Sequence, residues 1–232
     1  RCQDGEIRSC FWRIGCSFFI FGDRIIVQTR NLVRRVVYLV LLALGFWFVS
    51  FYLNPFNFWL EMSVAVFALA GLSLLVWDSY DQLVEWTVGD VLLGASSALV
   101  LYGIFWLGNY AITRIIPFAE TEIAAVYSNS GSAAIPIIGT LLVLVIGPGE
   151  EIFWRGTVQK TIEDKYGKLI GLMAGAGLYS IVHVWALNLT LLLAALVCGV
   201  VWGYMYYRKR SLAPVIVSHS LWSLLIFVII PV

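Results

Sequence analysis

Seven long apolar stretches, each near the length of a membrane-crossing helix and nearly free of charge inside, constrain this chain more than any other feature. A bilayer core of about 30 Å requires about 20 mostly apolar residues in a helix. The runs are Val36 to Leu53, Phe58 to Trp77, Val91 to Gly108, Ala133 to Trp154, Leu169 to Leu187, Leu189 to Tyr207 and Leu212 to Val232. They are too long and continuous for barrel strands, and lipid leaves no backbone group unpaired, so each reads as a helix. The expected fold is an all-α polytopic integral membrane helix bundle with about seven transmembrane helices. Only 12% of the residues are charged and the net charge is +1, which removes both a water-soluble globule and a nucleic-acid-binding surface.

Lys and Arg in the short connections set the expected orientation. With the N-terminus cytoplasmic, fourteen of the fifteen bases fall inside and Arg114 alone falls outside. The loop Asp78 to Asp90 is the weak point, holding acids but no base. The outer segment Asn109 to Ser132 is the one long loop, read as a lid or a solvated connection. Three parts follow: a cytoplasmic segment 1–31, N-terminal transmembrane helices with the outer loop over 32–132, and a C-terminal transmembrane core over 133–232. The chain opens on Arg1 and has its first methionine at Met62, inside an apolar run, which reads as a fragment or a displaced start. Residues 1–31 lack an h-region with a cleavage site, so no cleaved signal peptide is expected. Four cysteines, Cys2, Cys10, Cys16 and Cys198, show no metal or disulfide spacing.

Ionisable residues within spans demand a reason, because each costs about 2.5 to 3.5 kcal/mol on insertion scales. Glu61, Glu150, Glu151, Arg155, His183 and His219 lie in or beside the runs, and the two histidines are the only ones in the chain. Glu61, beside Trp59, reads as interfacial. In Gly147-Pro148-Gly149-Glu150-Glu151 the Gly-Pro-Gly step should loosen the helix ahead of the carboxylates. Glu151 and Arg155 are four apart and can pair, while Glu150 points about 100° away and stays free. Measured by helical rise, Glu150, His183 and His219 fall roughly 12, 18 and 9 Å below one face on three different spans.

Such a set can activate water. Glu150 would be the general base, and the histidines would polarise a carbonyl and hold its oxyanion, or with Glu150 ligate a zinc ion. Tyr179 and Ser223 sit one turn from His183 and His219. Gly171-xxx-Gly175 and Gly199-xxx-Gly203 read as helix-packing faces. The sequon Asn188-Leu189-Thr190 lies in a tight turn at the membrane and is discounted, and Arg208-Lys209-Arg210 reads as a topology anchor touching anionic lipid.

The run Glu150-Glu151-x-x-x-Arg155, the aromatic-x-x-x-His from Tyr179 to His183, and His219 in the last span resemble the CPBP intramembrane proteases. That family includes type II CAAX prenyl endopeptidases and abortive-infection-like members. The resemblance covers about Ile137 to Leu225. It implies that Glu150, His183 and His219 are catalytic, with Glu151, Arg155, Tyr179 and Ser223 supporting, and that Zn2+ is held only if the enzyme is metal-dependent. Substrates would be membrane-anchored peptides or proteins, prenylated CAAX tails among them, in a prokaryotic plasma membrane, with the site opening toward the cytoplasm and lipids as the other partners. Two positions depart from the family pattern: Tyr179 where Phe is usual and Ser223 where Asn or Asp is usual. A non-catalytic immunity or scaffold protein is the alternative reading, and a proton-coupled transporter a third.

Overall fold

The computed structural model describes residues 32–77, 86–128 and 133–232. Expectations for residues 1–31 and for most of the Asp78 to Asp90 loop lie outside the described residues. Eight helices follow one another: α1 (Leu32–Leu53), α2 (Phe58–Leu74), α3 (Val88–Ile115), α4 (Ala119–Ser128), α5 (Ile135–Tyr166), α6 (Lys168–Ala186), α7 (Leu189–Lys209) and α8 (Ala213–Ile229). No strand occurs among the described residues. Five helices (α1, α3, α5, α6 and α7) are long and apolar enough to cross a membrane. The other two apolar helices, α2 and α8, are 17 residues each, about 25 Å of helix.

Local chemistry explains the ends. Asn57 caps α2 by accepting the N–H groups of Trp59 and Leu60, Thr87 and Asp90 close a reciprocal capping box on α3, and Asn188 caps α7 through the Leu191 N–H. Glu61, in the first turn of α2, accepts the Phe56 N–H. The long outer loop expected over Asn109 to Ser132 is a correction. The helix continues unbroken to Ile115, and Ile116 is extended because Pro117 disfavours the helical conformation in the residue before it. Residues Ala119–Ser128 then form α4.

The Gly-Pro-Gly step does not break α5. The helix instead widens into π-turns at Leu142–Ile146 and Trp154–Gln159, on either side of the glutamates. The first widened turn holds Leu144, whose carbonyl the Pro148 ring would otherwise meet. Gly147 serves packing, since a Cβ there would stand 2.5 Å from Ser220 Oγ on α8.

Helix α5 runs through the middle of the bundle, against α2, α6 and α8. Close approaches fix the directions. Gly149 and Gly156 meet Val66 and Trp77, so α2 and α5 run parallel; Gly94 meets Pro214 and Val217, so α3 and α8 do too. Gly175 packs on Gln159 and Gly199 on Ala176, so α5, α6 and α7 alternate, and the two glycine pairs are indeed packing faces. The bundle therefore has two ends. One carries the starts of α1, α3, α6 and α8; the other carries the Asn54 turn, α4 and the Asn188 turn.

Polarity is inverted relative to a soluble protein. Phe67, Leu99, Leu107, Leu144 and Met173 face outward, whereas Glu150, Glu151, Arg155, Gln159, His183 and His219 are buried. Apolar solvent outside and polar pairs inside are what a bilayer imposes on a helix bundle.

Candidate active site

Mid-way along α5, fifteen residues after its start and sixteen before its end, Glu150 and Glu151 are both buried and point to different sides. Glu151 Oε1 accepts from Arg155 Nη1 at 2.9 Å and lies 2.7 Å from His219 Nδ1. One carboxylate thus ties α5 to α8 and orients the imidazole. The His219 ring is also stacked on Trp202 of α7, with centroids 3.9 Å apart and planes 16° from parallel. Arg155 reaches α7 as well, donating to the Gly199 carbonyl, with its guanidinium over the Tyr179 ring. One turn further on, Gln159 donates to the Gly203 carbonyl, so both small-residue positions of α7 receive a side chain from α5.

Glu150 faces the other way, into a cavity of about 320 Å3 that Tyr179, His183, His219 and Ser223 also line. Its Oε2 makes no hydrogen bond within the protein, and the Tyr179 side chain lines the same cavity. Glu151 and Arg155 are behind this wall and do not reach the cavity. The structure thus brings Glu150, Tyr179, His183, His219 and Ser223 to one space and sets Glu151 and Arg155 as its support.

His183 lies in a tight 3-10 turn that ends α6, Val182–Ala186. Its Nδ1 lies 2.8 Å from the Tyr179 carbonyl, which only accepts, so Nδ1 carries the proton. Its Nε2 accepts the indole N–H of Trp47 at 3.3 Å. Both ring nitrogens are engaged, and the imidazole is the neutral Nδ1–H tautomer. This does not fit the zinc set of Glu150, His183 and His219, because a metal ligand needs a free nitrogen lone pair. Among the described residues no group of three or more His, Cys, Asp or Glu is placed to hold a metal ion.

Trp47 and Trp202 were missed in the sequence reading. Trp47 lies mid-span in α1, a hundred and thirty-six positions from its partner. A buried tryptophan in an apolar run carries no local signal for the histidine it will meet.

The cavity occupies one half of the bundle. Its walls are Phe51, Trp59, Leu142 and Phe227, and its far rim holds Asn54 and Asn188, with Ala125 and Val126 of α4 across it. Helix α4 is pinned there. Glu122 accepts from the N–H groups of Leu189 and Thr190 and from the Thr190 hydroxyl, Asn188 donates to the Glu122 carbonyl, and the Tyr127 hydroxyl donates to the Ile226 carbonyl. These bonds also occupy the Asn188 and Thr190 side chains of the discounted sequon. The cavity and the described basic connections lie at opposite ends of the bundle.

Residues 123–225 match the family model described as Type II CAAX prenyl endopeptidase Rce1-like. This stretch, under half of the chain, is similar to the Rce1-like family. The match spans α4 to α8 and takes in all seven candidate site residues, whereas Trp47 lies outside it. No curated protein and no solved structure gave a significant match to the chain. That family is one of CAAX prenyl endopeptidases, and the chain itself is a bundle of apolar helices, five of them among the described residues long enough to cross a membrane.

Proposed function

We propose that the chain is an intramembrane endopeptidase in which Glu150 activates water against a peptide carbonyl of a membrane-anchored substrate. The observation that carries this reading is the buried Glu150 carboxylate, with one oxygen unpaired within the protein, facing a cavity shared with both histidines. A water between Glu150 and the scissile carbonyl loses a proton to the carboxylate as its oxygen bonds to the carbonyl carbon. The resulting oxyanion needs donors in a site with few waters. His219 supplies one from Nε2, with Nδ1 held by Glu151, and the Ser223 hydroxyl a second from one turn away. The proton on Glu150 then passes to the amide nitrogen as the C–N bond breaks, leaving a carboxylic acid and an amine and restoring the Glu150 carboxylate.

An Nε2 donor with Nδ1 on the Glu151 carboxylate requires a hydrogen on both ring nitrogens of His219. His183 takes no part in proton transfer while Trp47 holds its lone pair; it walls the cavity and fixes Tyr179. Prenylated CAAX tails are the substrates named in the family description, and other membrane-anchored peptides fit the same chemistry.

The test is cleavage of membrane-anchored and prenylated peptides by purified protein beside Glu150→Gln, with metal content measured on the same samples. Turnover should fall to background in Glu150→Gln, which keeps the shape and removes the base. Full turnover in that variant would refute the assignment, and stoichiometric zinc would redirect it to a metal mechanism. If neither protein cleaves any peptide, the immunity or scaffold reading gains.

A further inference from the structure

The proposed reaction asks the His219 imidazole to aim one nitrogen at an oxyanion, and a single in-plane hydrogen bond does not fix that direction. Nδ1 lies 2.7 Å from Glu151 Oε1, but a ring held at one nitrogen can still turn about that contact and carry Nε2 through an arc. A second restraint comes from α7. The Trp202 indole lies flat against the imidazole, with centroids 3.9 Å apart and planes 16° from parallel, and this removes the turn. Indole is also the aromatic face that attracts a cation most strongly, so the stack favours the doubly protonated ring. That support matters because Glu151 Oε1 is shared with Arg155 and is not free to serve His219 alone.

Trp202 is itself locked in place. It is fully buried, its N–H donates to Ser218 Oγ of α8 at 3.1 Å, and the Ser218 hydroxyl donates in turn to Ser97 Oγ of α3 at 3.1 Å. A hydroxyl has one proton, so Ser218 accepts from the indole and gives to Ser97 with nothing left to redirect. Trp222 and Tyr179 meet the indole edge-on, with centroids 5.6 and 6.3 Å away. Trp202 does not line the catalytic cavity, so it reaches the reaction only through the ring it stacks on. We propose that Trp202 is the positioning residue for His219, held by a hydrogen-bond chain from Ser97 through Ser218 that joins α3, α8 and α7 behind the site. This rests on the protease reading and deepens it, naming what aims the oxyanion donor. Ser97 lies outside the matched stretch 123–225, so one end of the lock comes from the N-terminal helices.

Three variants of the full chain separate this role from packing. Trp202→Phe keeps an aromatic face and loses the N–H, Trp202→Leu loses the face as well, and Ser218→Ala removes only the lock. On folded protein cleaving a membrane-anchored peptide, Trp202→Leu should lower kcat about tenfold or more with KM little changed, since a misaimed donor costs the transition state and not substrate binding. Trp202→Phe should regain most of that loss, and Ser218→Ala should fall between Trp202→Leu and the parent. Histidine-labelled protein gives a reading independent of turnover, because the chain has only two histidines and His219→Gln assigns one set of signals. The indole ring current should displace the His219 ring C–H signals upfield, less so in Trp202→Phe and not at all in Trp202→Leu. Parental kcat in folded Trp202→Leu overturns the proposal, and so does a His219 signal without displacement in the parent. If Trp202→Leu does not fold, Ser218→Ala decides, and parental kcat with an unmoved His219 signal there overturns it. A parent that cleaves no peptide defeats the protease reading and this role with it, whereas a cleaving parent with undiminished variants defeats the positioning role alone.

Discussion

The Glu151 carboxylate shows how one buried atom can organise a site without touching the reaction space. Its Oε1 serves both Arg155 and His219, so removing either partner leaves a charge partly uncompensated in a low-dielectric core. Arg155→Ala should destabilise the protein by about 3–5 kcal/mol, the usual cost of breaking a buried ion pair. Unfolding in detergent, followed by the burial of the many tryptophans, would measure it. An Arg155→Ala protein as stable as the parent would refute the stabilising role of this pair. Trp47 acts through His183 in the same indirect way. Trp47→Phe keeps an aromatic ring but removes the N–H and part of the indole volume, so turnover should fall several-fold while substrate binding holds. Because only two histidines are present, 15N spectra of histidine-labelled protein would show the His183 Nε2 signal move. An unmoved signal would deny the hydrogen bond whatever the activity does.

At the level of elements, α4 is held by one carboxylate at the N-terminus of α7. Partial burial pushes the Glu122 carboxyl up, but hydrogen bonds from the Thr190 hydroxyl and from the N–H groups of Thr190 and Leu189 outweigh it and hold the group below its ordinary 4.5. These bonds require the ionised form, and the helix terminus favours the negative charge. The contribution is therefore complete above the ordinary value and is lost as pH falls through the depressed one. Hydrogen exchange at α4 should rise on acidification below about pH 4.5, and Glu122→Gln should exchange fast already at neutral pH. Equal exchange in the two proteins at neutral pH would show that α4 is held by its apolar contacts instead. Sequence reading did not find this element. Ala119–Ser128 is short, carries two acids and sits next to Pro117, so it looks like a loop, and its partners lie more than sixty positions away in α7. The long apolar runs were legible because lipid demands a helix of a certain length. Their true ends were not, since α3 and α5 continue well past the apolar stretch on polar but helix-tolerant residues.

For the whole molecule, the chemistry and its enclosure come from different parts of the chain. Glu150, His183 and His219 could be read from sequence because ionisable groups are conspicuous in apolar runs and their spacing resembles a family motif. The walls could not, because Phe51, Trp59 and Met62 are ordinary apolar residues of α1 and α2 that become cavity walls only through packing. Those helices lie outside the matched stretch 123–225, as does α3, whose Gly94 allows a close approach to α8. The matched part should therefore be insufficient alone. Without α1, His183 Nε2 loses its donor; without α2, α5 loses the helix against Gly149; and without α3, α8 has no partner along one face. Expressed by itself, a fragment spanning 116–232 should cleave at background. Co-expression with a fragment ending at residue 115 should restore activity, because separately inserted helices can pack in the bilayer without a covalent connection. Purified as a complex, the two halves should show the same Glu150→Gln sensitivity as the intact chain. Full activity in the 116–232 fragment alone would mean that α1 to α3 contribute neither walls nor positioning, and would remove the role assigned to Trp47.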